Sequence, residues 1–173
     1  MAIREILLLG HPTLRKRCTA VQRSEIPLSA GIIADLRDTL ADFQKRKGFG
    51  RGIAAPQLGV SQRIIYIDFQ YTGALINPKI ISASKSKFEL WDDCFSFPDL
   101  LIRVRRHQSV TVEFLDESGA KRKLKATGAL SELLQHEIDH LDGVLAVDRA
   151  IDSRHIILRS EFEKLQKKNK RIF

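Results

Sequence analysis

The 173-residue chain contains 43% hydrophobic and 29% charged residues, a balance typical of a globular protein with a buried core. No apolar run approaches the roughly 18 residues needed to cross a membrane, and two cysteines are too few for a disulfide framework. These features predict one domain over residues 1–173 in a reducing cytoplasm, with no membrane partner. The net charge of +8 is compatible with an anionic partner or with solubility alone.

The first third of the chain predicts a strand followed by a long helix. Residues 6–9 are apolar and predict the strand. Apolar residues then recur at helical spacing between residues 32 and 43, after Ser29 as a possible N-cap. Three cations at 45–47 and Gly48 predict the end of this helix.

A glycine-rich segment follows the predicted helix. Gly48, Gly50 and Gly52 would let another backbone approach closely, and the alanines that follow would require a tightly packed neighbour. A phosphate-binding loop is the competing interpretation, but no Gly-Lys-Ser/Thr ending is present. Gln57 could donate its amide to an oxyanion, although a lone glutamine is more often a surface group.

Strands are predicted through the middle of the chain, and a helix is predicted at its end. The β-branched or alternating segments are residues 63–69, 74–80, 88–91 and a hairpin formed by 109–114 and 121–126. The last helix is predicted from about Ser153, and its final turns are basic.

The sequence His136-Glu137-Ile138-Asp139-His140 lies in a predicted helix over residues 129–141, which Asp142-Gly143 ends. Histidines four residues apart can face one metal ion, and the glutamate between them can reach a water molecule on that ion. All three side chains fall on the apolar side of the helix, where an unpartnered charge would cost several kcal/mol. This position disfavours an accidental motif on a solvated helix.

A catalytic metal usually takes three protein ligands, so a third ligand is needed. The extended motif HExxHxxGxxH is excluded, because Ala146 occupies the position of the third histidine. The residues alone leave several candidates open, namely Cys94, His155, His107, His11 and various carboxylates.

Three motifs in one order are far more specific than a single HExxH. They are Gly50-x-Gly52-x-Ala54-Ala55-x-Gln57, then Cys94-x-Ser96, then the segment from Gln135 to Gly143. With these motifs the chain resembles the peptide deformylase family over nearly its whole length. The resemblance implies an α+β fold, with antiparallel sheets around a central metal-binding helix and with N-terminal and C-terminal helices outside. It also implies metal-dependent hydrolysis of the N-formyl group from formylmethionine at the start of nascent polypeptides, with release of formate.

The resemblance further implies a role for each site residue. The metal ligands would be Cys94, His136 and His140, around one divalent ion that is Fe²⁺ in the cell, with Zn²⁺ or Ni²⁺ as alternatives. Glu137 would be the general base and acid. The oxygen of the formyl group would be held, as it becomes an oxyanion, by Gln57 and by the backbone N–H of Phe95.

Substrate contacts are implied at two places. The segment Gly50, Arg51 and Gly52 would pair with the peptide as an added strand. The methionine side chain would enter an apolar pocket to which Ala129, Leu133 and His136 contribute.

The departures from the family lie mainly in one motif. The family has Glu-Gly-Cys-Leu-Ser where this chain has Asp92-Asp93-Cys94-Phe95-Ser96, and Leu101 stands where an arginine is common. Asp93 replaces a glycine that lies along the substrate, and we expect it to place a negative charge beside the metal. These changes affect substrate choice and rate more than the type of reaction.

Three alternatives remain open at this point. They are a deformylase-like protein with weak or altered activity, a metallopeptidase that uses His155 or a downstream carboxylate, and a non-catalytic peptide- or ribosome-binding protein with a structural metal. A ribosome contact is predicted through the basic segment that contains Lys164, Lys167, Lys168, Lys170 and Arg171. No sequence-specific binding of nucleic acid is expected.

Overall fold

The computed structural model describes residues 3–168, which form two antiparallel sheets and three α-helices. In chain order the elements are α1 (Ala30–Lys47), β1 (Gly52–Ala54), β2 (Ile64–Asp68), β3 (Thr72–Ala83), β4 (Lys87–Asp92), β5 (Leu100–His107), β6 (Ser109–Leu115), β7 (Lys121–Thr127), α2 (Gly128–Leu141), β8 (Ile156–Leu158) and α3 (Arg159–Lys167). The larger sheet has the order β1-β2-β3-β6-β7, and the smaller has the order β4-β5-β8. Within residues 3–168 no helix is both long enough and apolar enough to cross a bilayer.

Strand β2 of the larger sheet is buried on both of its faces. Ile65 and Ile67 pack in the cluster that contains residues of α2, whereas Ile64 and Tyr66 pack in the cluster that contains residues of α1. Successive side chains of a strand point to opposite faces, so β2 contributes to both layers. The predicted α+β arrangement, with α1 and α3 flanking the sheets and the central helix α2, is confirmed.

Helix α1 ends where the sequence predicted, at Gly48. This glycine has a left-handed backbone with φ of 76°, and its N–H donates to the Gln44 carbonyl over 2.8 Å. The predicted cap at Ser29 is wrong, because this residue is already helical, with φ of −74° and ψ of −11°, and makes no capping bond. Its hydroxyl donates instead to the Glu25 carbonyl over 3.2 Å.

Residues 6–9 do not form the predicted strand. They run as an irregular segment with two backbone hydrogen bonds to residues that follow other elements. The Leu7 N–H donates to the Gln57 carbonyl and the Leu9 N–H to the Ser96 carbonyl, each over 2.8 Å. These two hydrogen bonds therefore hold the backbone at Gln57 and at Ser96, near the predicted metal ligands.

The last third of the chain departs most from the prediction. The final helix begins at Arg159 rather than near Ser153, because residues 156–158 form β8 against the edge of β5. Strand β5 itself was not predicted, since Arg103 and Arg105 interrupt its apolar pattern. Their charges are paired with Glu89 on β4, at 3.2 and 2.6 Å.

Helix α2 is enclosed on nearly all sides, with 11 of its 14 residues buried. Its polar side is buried as well as its apolar side, since Glu132 and Gln135 are only 2% and 7% exposed. The Gln135 amide is satisfied by the backbone of His107, to which it donates over 3.0 Å and from which it accepts over 3.0 Å. The structure thus holds the motif helix in a fixed position between the sheets.

Candidate active site

Cys94, His136 and His140 bring three metal-binding atoms together. The Cys94 Sγ lies 3.3 Å from the His140 Nε2, which lies 3.2 Å from the His136 Nε2. All three side chains are buried, and among residues 3–168 they form a group whose ligand atoms lie within 4.8 Å of one another. Two imidazole nitrogens and one thiolate are a donor set that suits a divalent transition metal. The residues present therefore fit the ion that the motif implies.

The environment of Cys94 favours a sulfur that accepts hydrogen bonds. The Ser96 N–H lies 3.4 Å from the Cys94 Sγ, and the Gln57 Nε2 lies 3.6 Å from it. The orientation of Gln57 is fixed at its other end, because the Ala54 N–H donates to the Gln57 Oε1 over 2.9 Å. Its amide donor therefore points into the site.

His136 is oriented by Asp92, which lies at the end of β4. The His136 Nδ1 lies 3.0 Å from an Asp92 carboxylate oxygen, which leaves Nε2 facing Cys94 and His140. Burial lowers the pKa of His136, but Asp92 outweighs burial and places that pKa well above its ordinary value. Asp92 thus makes the imidazole more basic as well as holding its plane.

Sequence reasoning missed Arg106, which supports Asp92 from behind. Its guanidinium donates to Asp92 over 3.1 Å and also to Asp139, and its side chain is 4% exposed. Burial raises the pKa of Asp92, but His136 and Arg106 together outweigh it and hold that pKa near 2. No local sequence signal identifies such a residue, since a basic strand position is usually solvated.

The surroundings of His140 disfavour the charged form of its ring. Burial and the neighbouring His136 lower the pKa of His140 well below its ordinary value, so the ring is neutral. Its Nδ1 is buried and has no hydrogen-bond partner within residues 3–168. A neutral imidazole is the form that binds a metal ion.

Glu137 is buried directly against β1. Burial raises the pKa of Glu137 to about 7, and its Oε2 has no partner among the residues that the structure describes. A Cβ atom placed on Gly52 would lie 2.8 Å from the Glu137 Oε1, so only glycine fits against this carboxylate without displacement.

Most of the predicted site residues line one cavity of about 270 Å³. The predicted site residues on its wall are Gly50, Arg51, Gly52, Gln57, Asp93, Cys94, Phe95, Leu133, His136 and Glu137. His140 is not among the residues that line the cavity. Ala129 is exposed and is not part of the wall, and its carbonyl lies 3.5 Å from the Arg51 Nη1.

The Phe95 ring packs against α1. The ring stacks on Phe43 of α1, with centroids 3.8 Å apart. A Cβ atom on Gly50 would lie 2.5 Å from the Phe95 ring, so the glycine is required here as well. The aromatic side chain therefore fixes the backbone of residues 94–96 against α1 and the start of β1.

Asp93 does not carry the uncompensated charge that its position in the sequence suggested. Its carboxylate accepts a hydrogen bond from the Arg159 Nη2 over 2.8 Å, at the start of α3. The Arg159 guanidinium also lies 4.4 Å from the ring centroid of Phe49 and donates to the Pro98 carbonyl. The Asp93 carboxylate at the cavity is therefore paired with an arginine from another part of the chain.

Other metal ligands receive less support. The His155 Nδ1 contacts Asp152 over 2.8 Å, and His155 does not belong to either group of potential ligands within residues 3–168. The second group joins Asp92, Glu132 and His136, but Asp92 already pairs with Arg106 and His136. Glu132 is in turn bonded to Arg51, so we interpret this group as a hydrogen-bonded network.

The fold and the site together define a class of protein, the metal-dependent hydrolases of the HExxH type. The helix α2 supplies two imidazoles and a buried carboxylate, and the segment after β4 supplies a buried thiol beside them. This arrangement differs from metallopeptidases that take all of their ligands from the helix and its continuation.

Comparison with known proteins identifies the family within that class. The sequence model of the Polypeptide deformylase family matches residues 3–155. A relative described as Peptide deformylase 2 from Nostoc is 35% identical, and the match covers 95% of each chain. The solved peptide deformylase of Legionella pneumophila superposes with a TM-score of 0.79 at 35% identity, over 96% of this chain and 98% of that one. The Thermotoga maritima enzyme superposes with a TM-score of 0.80 at 30% identity, over 88% of this chain and all of that one. The chain belongs to the polypeptide deformylase family.

Proposed function

We propose that this chain is the catalytic domain of an enzyme that removes the N-formyl group from formylmethionine at the start of polypeptides and releases formate. The observation that carries the proposal is a group of three buried ligand atoms, those of Cys94, His136 and His140, of which the first two residues line the same cavity as Glu137. Membership of the family supports the same reaction.

Cys94, His136 and His140 would hold the ion. When bound, a divalent ion supplies Lewis-acid polarisation of the formyl carbonyl. Iron(II) is the ion we expect in the cell, and zinc or nickel would also suit two imidazoles and a thiolate. Asp92 would hold the His136 ring in the orientation that this role requires.

Glu137 would move the protons of the reaction. Its pKa of about 7 suits a group that takes a proton from the attacking water and returns it to the leaving amine. Because its carboxylate is enclosed by α2 and Gly52, it is held in place before substrate arrives. This preorganisation avoids reorientation during the reaction.

Gln57 and the backbone N–H of Phe95 would stabilise the negative oxygen that forms on the formyl carbon. Gln57 is 2% exposed and is anchored by the Ala54 N–H, so its donor is fixed in the cavity wall. A preorganised donor of this kind contributes about 3 kcal/mol to the transition state.

The peptide would bind along β1. This strand is at the edge of the larger sheet, with β2 on one side only. Gly50 and Gly52 border the cavity, and their lack of side chains would let an extended peptide approach the strand as an added neighbour.

The test is formate release from formyl-Met-Ala-Ser by protein purified without oxygen, with metal per chain measured. Glu137→Gln should keep its metal and lose at least about 100-fold of its turnover. Cys94→Ala should lose tight metal binding, and His155→Ala should not. Internal cleavage of peptides instead of formate release would favour a metallopeptidase, and neither activity would favour a binding protein with a structural metal.

We also propose that the basic face at the end of α3 contributes to ribosome association. Lys164, Lys167 and Lys168 are exposed in the described part of the chain, whereas Lys170 and Arg171 lie outside residues 3–168. Such cations would contact RNA phosphates most strongly at low salt.

A charge-matched comparison tests this contact. One variant replaces Lys164, Lys167 and Lys168 by glutamine, and the control replaces three lysines of β7, Lys121, Lys123 and Lys125. Co-sedimentation with ribosomes at low salt should fall only in the first variant. An equal fall in both would mean that net charge alone is responsible, and no fall in either would contradict the contact.

A further inference from the structure

The cavity is more polar than a methionine pocket requires. Leu133, Phe95 and Phe49 give it apolar surface, but Arg51 and Glu132 lie on the same wall. The expected apolar pocket is therefore only partly present.

Within residues 3–168, one of the two carboxylate oxygens of Glu132 has a hydrogen-bond partner and the other has none. Its Oε2 accepts from the Arg51 Nη2 over 2.8 Å, and its side chain is 2% exposed. Its Oε1 is buried and has no hydrogen-bond partner within residues 3–168. A buried carboxylate oxygen without a donor is costly, and a donor that reached it would recover much of that cost.

The position of Glu132 relates it to a particular part of the substrate. Glu132 and Leu133 lie one helical turn before His136, and all three line the same cavity as Glu137. If the formyl group lies against Glu137, the side chain of the first residue is the part of the peptide that reaches the preceding turn.

The charged groups around this oxygen are already paired with one another, so an uncharged donor would suit it. Arg51 neutralises Glu132 itself, Arg106 and His136 neutralise Asp92, and Arg159 neutralises Asp93. A side chain with an apolar stem and a terminal amide would place its stem on Leu133 and its N–H groups at Glu132. Glutamine has this form, and its size is close to that of methionine.

We propose that Glu132, held by Arg51, makes the first-residue pocket of this chain selective for side chains that carry a terminal hydrogen-bond donor. The inference rests on the proposed deformylase function and names the substrate class for that site. Formylmethionine remains a substrate, but a formylated residue with a terminal amide gains a hydrogen bond that methionine cannot make.

The experiment compares formyl-Gln-Ala-Ser with formyl-Met-Ala-Ser in the natural chain and in the double variant Arg51→Leu, Glu132→Leu. The ratio of kcat/KM for glutamine over methionine should be about tenfold higher in the natural chain, equivalent to about 1.4 kcal/mol. The control, Asp42→Ala with Arg46→Ala, removes an ion pair on the surface of α1 and should leave the ratio unchanged.

A binding measurement separates this inference from the proposed reaction. Calorimetric titration with the unformylated peptides Gln-Ala-Ser and Met-Ala-Ser should show the same change of preference in the double variant. If no formylated peptide is hydrolysed but this change is seen, the proposed function fails and the pocket assignment stands.

If both peptides are deformylated and the ratio is the same in all three proteins, the inference is overturned. Thermal unfolding of the double variant then shows what the pair does instead. A lower midpoint with unchanged selectivity would assign Arg51 and Glu132 to joining β1 to α2.

Discussion

The contact between Gly52 and Glu137 makes a sharp prediction about the variant Gly52→Ala. The added Cβ would lie 2.8 Å from the Glu137 Oε1, whereas ordinary contact begins at 3.4 Å, so the carboxylate has to retreat by about 0.6 Å. Misplacing a catalytic group by 1 Å can cost about 100-fold in rate. We therefore expect kcat to fall about tenfold, which corresponds to about 1.4 kcal/mol in the barrier.

The same variant should leave the metal and most of the stability intact. Alanine in place of glycine restricts the unfolded chain and stabilises by about 0.4–1 kcal/mol, while the overpacked contact costs about 1–3 kcal/mol. The matched control is Gly31→Ala in α1, where an added Cβ would meet nothing within 4 Å. It should keep full activity and gain up to about 1 kcal/mol of stability.

The assay measures kcat for formyl-Met-Ala-Ser at saturating substrate, metal per chain and urea unfolding for both variants. An unchanged kcat in Gly52→Ala would refute the argument, because it would show that the position of Glu137 is not limited by β1. Loss of metal in that variant would also refute it, since the contact involves the carboxylate and not the ligand atoms.

Two further predictions concern the two cysteines and the buried Arg106. Burial raises the pKa of Cys18 to about 11, so this thiol should stay protonated and resist iodoacetamide at pH 8. Cys94 lines the cavity, so it should be alkylated after metal removal and protected by added metal. Mass spectrometry of the labelled peptides checks both expectations. Arg106→Met should lower the free energy of unfolding by about 3–5 kcal/mol, because it leaves buried carboxylates without their partner. The control Arg105→Met removes an exposed ion pair and should cost less than about 1 kcal/mol. Urea unfolding measures both losses, and equal losses would contradict the prediction.

The parts of the site that could be predicted from sequence are those in which residue types repeat at the spacing of a helix or a strand. His136, Glu137 and His140 follow from the helical repeat, and the hairpin of β6 and β7 follows from alternation around a turn. Cys94 could be chosen among the open candidates only through the family resemblance. The structure brings it to the histidines, but the metal experiment is what tests its role.

Other parts depend on contacts between distant segments. Arg106 reaches Asp139 across 33 positions, and Arg51 reaches Glu132 across 81. Neither spacing leaves a periodic signal, because such pairs depend on how strands and helices pack. The early segment at residues 6–9 was mispredicted for a related reason, since Ile6 and Leu7 pack against two different hydrophobic clusters and Leu8 and Leu9 are exposed.

The pair formed by Asp93 and Arg159 joins a residue inside the span that the family model matches to one outside it. Asp93 stands in a motif of the family, whereas Arg159 lies beyond residues 3–155, the span that the family model matches. Placing glycine at position 93 would leave this arginine beside Phe49 without its carboxylate partner. Transferring Asp93 alone into another deformylase would create the opposite problem, a carboxylate without its arginine. An aspartate at position 93 can therefore be transferred to another chain only together with the first turn of the final helix, which supplies the arginine.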